Sequence, residues 1–138
     1  MTVLLVTGTR DEINQFAGRL VFARIREMNP SRVIVGDCPT GVDALVAVAC
    51  RIVGIPCTPT VADWSLGKSA GPRRNKAMVA EAAALKAQGE TVRVLAFPAG
   101  KSPGTRGCVK LAEAAGLDVE VTDLSMQLTK LRKFKEKP

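Results

Sequence analysis

Continuous apolar runs and helically spaced apolar residues alternate along this chain. Val3–Val6 is an unbroken apolar run, the pattern of a strand covered on both faces. From Asp11 to Met28, residues Ile13, Phe16, Ala17, Leu20 and Ala23 recur at helical spacing, and Asn29-Pro30 stops the helix. Arg32–Val35, closed by Gly36, reads as a second short strand. Gly41–Val53 predicts a helix with Val42, Leu45, Ala49 and Ile52 on its buried stripe and Gly54 as its C-terminal cap. Pro56–Val61 is a third strand, and its Pro59 suits a sheet edge because it has no N–H to give a neighbour. The loop Ala62–Gly71 is long for an α/β connection. Pro72–Gln88 then predicts a helix that Gly89 ends. Thr91–Phe97 is a fourth strand, and the glycine-rich turn Pro98–Gly104 leads into a helix ending at Gly116. Asp118–Val121 alternates polar and apolar as an edge strand does. Leu124–Phe134 predicts a short amphipathic helix, with Leu124, Leu128 and Leu131 on one side and bases on the other.

Five strands alternating with four helices predict an α/β fold, a Rossmann-like three-layer sandwich around a parallel sheet. The first, second and fourth strands have the composition of central strands, and the third and fifth that of edges. The order 3-2-1-4-5 satisfies this with right-handed crossovers. It sets a switch point between strands one and four, where ligands of such sheets bind at the carboxyl ends. Residues 1–123 read as one domain and 124–138 as a basic tail or short helix.

The chain has 138 residues, of which 46% are hydrophobic, enough for one cored domain. Its net charge of +7 is uneven, since Met126–Pro138 holds five bases against Glu136 alone. The body is only mildly basic, which weakens a nucleic-acid reading based on charge. There is no run of about 18 apolar residues, so no transmembrane helix is expected. Met1–Val6 leads straight into Thr7-Gly8-Thr9-Arg10 without a basic leader, so a cytoplasmic protein is expected. Histidine is absent and the four cysteines, Cys38, Cys50, Cys57 and Cys108, include no C-x-x-C pair. That argues against zinc ligation and His-based catalysis, and no metal or cofactor is expected.

The candidate chemistry gathers at the carboxyl edge. Gly8-Thr9-Arg10 follows strand one, Gly36-Asp37 with Thr40-Gly41-Val42-Asp43 follows strand two, and Pro98 with Gly104-Thr105-Arg106 follows strand four. The fourth contribution is Gly71-Pro72-Arg73-Arg74-Asn75, with Pro72 expected at the first helical position. Cations at a helix start oppose the peptide dipoles, and a bound anion would reverse that cost. With Met78, Ala82 and Leu85 as the buried stripe, steps of about 100° put Arg74 and Asn75 toward the site and Arg73 toward solvent. Thr40-x-x-Asp43 also fits a capping box. Trp64, with Asp63 before it, is read either as the cover of a loop core or as a base-stacking surface. Neither G-x-x-x-x-G-K-[ST] nor G-x-G-x-x-G is present.

In this order and spacing the motifs resemble the SLOG superfamily, the Rossmann-like group that joins DprA to the Lonely-guy phosphoribohydrolases, and within it the small stand-alone YspA-like branch of bacteria and phages. The carriers are Gly8-Thr9-Arg10, Gly36 with Thr40–Asp43, Ala62-Asp63-Trp64, Gly71–Asn75 with Met78, and Phe97-Pro98 with Gly104-Thr105. Arg74-Asn75-Lys76-Ala77-Met78 matches the R-K-x-x-M of the Lonely-guy enzymes with Asn75 in place of Lys, and Cys108 stands where they have a catalytic Glu. Glu113 lies about 140° further round the helix and does not replace it. The resemblance implies a homo-oligomer that binds a nucleotide or nucleotide-derived small molecule, of ADP-ribose or cyclic-signal type, in a sensing or sequestering role. One alternative it implies is N-glycosidic hydrolysis using Arg74 with Asp43 or Asp63. Another is single-stranded nucleic-acid binding of the DprA kind.

Overall fold

The computed structural model describes residues 1–126, so the basic stretch from Gln127 onward, including most of the expected terminal helix, lies outside the described residues. Five parallel strands form one sheet: β1 (Thr2–Gly8), β2 (Arg32–Gly36), β3 (Cys57–Thr60), β4 (Thr91–Phe97) and β5 (Asp118–Val121). Their order is β3-β2-β1-β4-β5, as the patterning predicts. The helices are α1 (Gln15–Met28), α2 (Gly41–Val53), α3 (Ala70–Ala87) and α4 (Pro103–Ala114), and a 3₁₀ segment at Trp64–Ser69 precedes α3.

The strand alternation divides the core into two layers. Leu4, Val6, Val33, Val35, Leu95 and Phe97 pack with Val21 and Ile25 of α1 and Val42 and Val46 of α2. Val3, Leu5, Ile34, Val92 and Val94 pack on the opposite face with Met78 and Ala82 of α3 and Cys108 and Ala112 of α4. Each fully buried Leu, Val or Phe contributes about 1.5–3 kcal/mol of transfer free energy.

Helix limits follow local chemistry. Gly54 adopts φ 77°, and its N–H closes the last turn of α2 on the Cys50 carbonyl. Helix α1 begins four residues later than its periodicity suggests, because the Asn14 side chain accepts the Ala17 N–H at 2.9 Å and holds 11–13 in a loop. Its buried stripe is Ala17, Gly18, Val21 and Ile25, which leaves Phe16 51% exposed. Ile52, expected inside, is 76% exposed, because the stripe of α2 runs through Val46 and Cys50 instead.

The chain leaves β5 and crosses to the α1–α2 face. There Leu124 is fully buried, and its N–H donates to the Pro98 carbonyl at 2.7 Å. A domain limit at residue 123 therefore cuts through the core. No helix among the described residues is long and apolar enough to cross a membrane.

Candidate functional site

A cleft of about 590 Å³ opens at the carboxyl ends of β1 and β4, at the switch point. Thr7, Gly8, Thr9 and Arg10 form its floor and one rim, and Asp43 comes from α2. Gly71, Arg74 and Asn75 come from α3, and Gly104 and Thr105 from α4. These expected residues converge because β1 is central and both crossovers return to the same edge.

The close approaches depend on missing side chains. A Cβ on Gly8 would stand 2.4 Å from a Val42 methyl carbon, so glycine lets α2 settle on β1. Gly41 has φ 70°, and a Cβ there would stand 2.1 Å from the Thr9 carbonyl oxygen, which accepts the Val42 N–H at 3.1 Å. Gly36 does not line the cleft. A Cβ there would collide with Asp43 Oδ2 at 2.6 Å and crowd the Arg74 guanidinium.

Arg74 is held as its helical position predicts. Its Nη1 donates to Asp37 Oδ1 at 2.7 Å and its Nη2 to Asn75 Oδ1 at 3.3 Å. Asn75 Nδ2 in turn reaches the Gly104 carbonyl at 3.4 Å, tying α3 to the start of α4. Arg74 Nε is buried with no partner among the described residues. Burial pushes the Asp37 carboxyl up. The Arg74 hydrogen bond and charge, with the Ala62 and Trp64 N–H groups, more than offset that and hold it below the usual carboxylate range. Asp37 is thus consumed by structure and lies outside the cleft lining.

Asp43 differs. It is 8% exposed, lines the cleft and accepts the Cys38 N–H at 3.2 Å. Burial pushes its carboxyl above the usual range, opposed by the Cys38 N–H and the Arg74 charge. The expected capping box does not form. The Thr40 hydroxyl donates to the Arg10 carbonyl at 2.6 Å and Asp43 points to the cleft, because Gly41 docks the helix start on the turn after β1.

Several expected residues lie elsewhere. The ring of Trp64 faces two guanidinium groups, Arg10 at 5.8 Å and Arg74 at 5.7 Å, and its N–H donates to Asp37 at 3.3 Å. Trp64 braces the two arginines from outside the cleft lining. Asp63 caps the 3₁₀ segment through the Ser65 N–H at 3.2 Å. Arg106 turns away, donating to the Gly100 carbonyl at 2.7 Å and to Asp123 at 2.9 Å. Pro98 is buried beneath the turn. Arg73 is exposed, as expected.

The helix starts differ in which of their polar groups are engaged. Pro72 occupies the third position of α3, because the 3₁₀ segment runs directly into Ala70, whose N–H goes to the Gly67 carbonyl. Helix α2 gives its Val42 N–H to Thr9 and carries Asp43 in its first turn. Helix α4 begins with Pro103, and the Ser102 hydroxyl is engaged with Ala99 and does not cap it. The Gly104 and Thr105 N–H groups have no partner among the described residues, and Lys101 lines the cleft just before them.

Sequence reasoning placed Lys101 and Ser102 in the turn at this edge without singling them out, and it missed Gly107 and Leu111, which share the cleft face of α4 with Gly104. Their spacing of three and seven residues from Gly104 was the available signal. It also did not single out Thr7, Asp11 and Cys38, and it read Met78, which borders the cleft, as core and as part of the R-K-x-x-M resemblance. Cys108 is fully buried behind Thr7, whose hydroxyl it meets, and burial pushes its thiol up. Comparison of the chain with protein-family models, curated proteins and solved structures finds no match. Among the described residues no group of His, Cys, Asp and Glu side chains could hold a metal ion.

Proposed function

We propose that this chain binds a nucleotide or nucleotide-derived small molecule in the cleft, as a SLOG-like domain in a sensing or sequestering role. The open start of α4 carries the reading. Two unpartnered N–H groups at the helix's positive end, with Lys101 beside them, suit a phosphate. The cleft volume lies within the roughly 300–1,000 Å³ of small-molecule sites. Asp43, held across the cleft, suits the hydroxyls of a ribose as an acceptor.

Isothermal titration of the purified chain against mononucleotides, dinucleotides, ADP-ribose and cyclic nucleotides tests this. The expected result is saturable binding that weakens about tenfold or more in Lys101→Ala, with loss of the ligand-induced rise in melting temperature. Absence of binding to every member of the panel overturns it.

One observation favours a second reading, N-glycosidic hydrolysis. Asp43 is a buried cleft carboxyl with a raised pKa, the condition a general acid needs. Release of free base from a nucleoside monophosphate, abolished in Asp43→Asn, supports it. Release at the buffer rate rejects it.

A further inference from the structure

Two cysteines outside the cleft form a pair that the C-x-x-C pattern does not reveal. Cys50 lies in the last turn of α2 and Cys57 opens β3, the edge strand. The chain between them turns sharply. Gly54 takes the left-handed conformation, and the Gly54 and Ile55 N–H groups both close on the Cys50 carbonyl, the latter at 2.9 Å. This turn brings residue 57 back toward the helix, where Cys57 packs against the core layer that holds Cys50. Cys50 is buried in the α1–α2 core layer, and Cys57 packs against that layer from a half-buried position at the sheet edge.

We propose that Cys50 and Cys57 are a modification site, a dithiol that peroxide converts reversibly to a disulfide. Cys57 is the reacting thiol, being the accessible member of the pair. The neighbouring Cys50 thiol holds the Cys57 thiol below its usual range. The Cys57 thiolate attacks one peroxide oxygen, the O–O bond breaks, and hydroxide leaves. Cys57 becomes a sulfenic acid, and the hydroxide takes up the proton the thiol had lost. The Cys50 sulfur then attacks the Cys57 sulfur as the S–O bond breaks. The sulfenic hydroxyl leaves as water with the Cys50 proton. Two thiols are oxidised by two electrons, and one peroxide is reduced to two waters. Pairing is local, since only the turn around Gly54 separates the two elements, and it lies away from the cleft. In the sheet register Cys57 pairs with Val33, whereas the cleft-side end of β2 pairs Gly36 with Thr60.

Peptide mapping after native hydrogen peroxide treatment tests the proposal. Trypsin cleaves after Arg51, so the two cysteines fall in different peptides. The expected product is a disulfide-linked pair of those peptides, lighter than the reduced pair by two hydrogens and separated again by dithiothreitol, with fragment ions that place the link at Cys50 and not at Cys38, which lies in the same Val33–Arg51 peptide. Cys50→Ser should leave Cys57 as a sulfenic acid that dimedone traps, and Cys57→Ser should leave Cys50 unreacted in the folded chain. Since Cys50→Ser disturbs a buried position, Cys57→Ser gives the independent reading. Oxidation of Cys57 to sulfinic acid without a linked pair, or equal peroxide reactivity of Cys50 in Cys57→Ser, overturns the proposal.

Discussion

The Arg74 guanidinium and the Asp37 carboxylate meet at 2.7 Å behind the cleft, with side-chain exposures of only 8% and 16%. Removing one member of such a pair strands the other charge in a poorly hydrated place. Arg74→Ala is expected to lower stability by about 3–5 kcal/mol, read as a shifted urea midpoint. Arg74→Lys recovers little of it, because one ammonium cannot serve Asp37 and Asn75 in the geometry of a guanidinium fork. A wild-type midpoint for Arg74→Ala would show that the pair does not hold α3 to β2. Loss of ligand binding in this variant alone is uninformative, which is why Lys101 is the better probe of the cleft.

The two acids near Arg74 shift in opposite directions, and so their effects on stability have opposite signs. The raised pKa of Asp43 makes its contribution full below the ordinary carboxylate pKa and lost as pH rises through the folded value. The lowered pKa of Asp37 makes its contribution full above the ordinary pKa and lost as pH falls through the folded value. Asp43→Asn is therefore expected to melt higher than wild type at neutral pH and to converge with it in acid. Asp37→Asn is expected to melt lower at neutral pH and likewise to converge in acid. Melting curves between about pH 3 and pH 8 check both, and parallel pH profiles for the two variants would contradict the assignment.

Gly8→Ala tests the contact of α2 with β1. Its Cβ would meet Val42 side-chain carbons at 2.4–2.8 Å, so overpacking should cost about 1–3 kcal/mol. Val42→Ala in the same chain removes the two methyl groups and leaves the Val42 Cβ at 2.5 Å, so it relieves part of the clash. The double variant is expected to be more stable than the sum of the two single losses predicts. Strict additivity would mean that the clash relaxes elsewhere.

Leu124 tests where the folded unit stops. Its side chain is fully buried, and Leu124→Ala should cost about 2–5 kcal/mol. A chain ending at Met126 should exceed one ending at Asp123 in stability by a comparable amount, measured by denaturant titration. Equal midpoints would place Leu124 outside the cooperative core.

Strand order was legible because each strand carries its own environment. Val3–Val6 and Val94–Phe97 are apolar without interruption and lie inside the sheet, whereas Pro59 and the alternation at Asp118–Val121 mark the edges. The facing of Arg74 and Asn75 followed from helical geometry, since Met78 and Ala82 are buried on the stripe assumed for them. Gly54 was legible as a cap because only a residue tolerant of positive φ ends the helix there.

The remainder depended on partners far along the chain. Arg10, Arg74 and Arg106 look alike beside their glycines. In the fold one braces against Trp64, one pairs with Asp37, and one turns outward to Asp123. Leu124 reads as the first residue of a tail until β5 delivers it to the opposite core layer. The sequence by itself determined the layers, the strand order and the edge at which chemistry gathers, because periodicity and backbone tolerance are local properties. Only the tertiary structure decided that Asp43 faces the cleft while Asp37 is consumed by Arg74. It also decided that the start of α4, rather than that of α3, is left open, because whether a polar group is free depends on what the rest of the chain places against it.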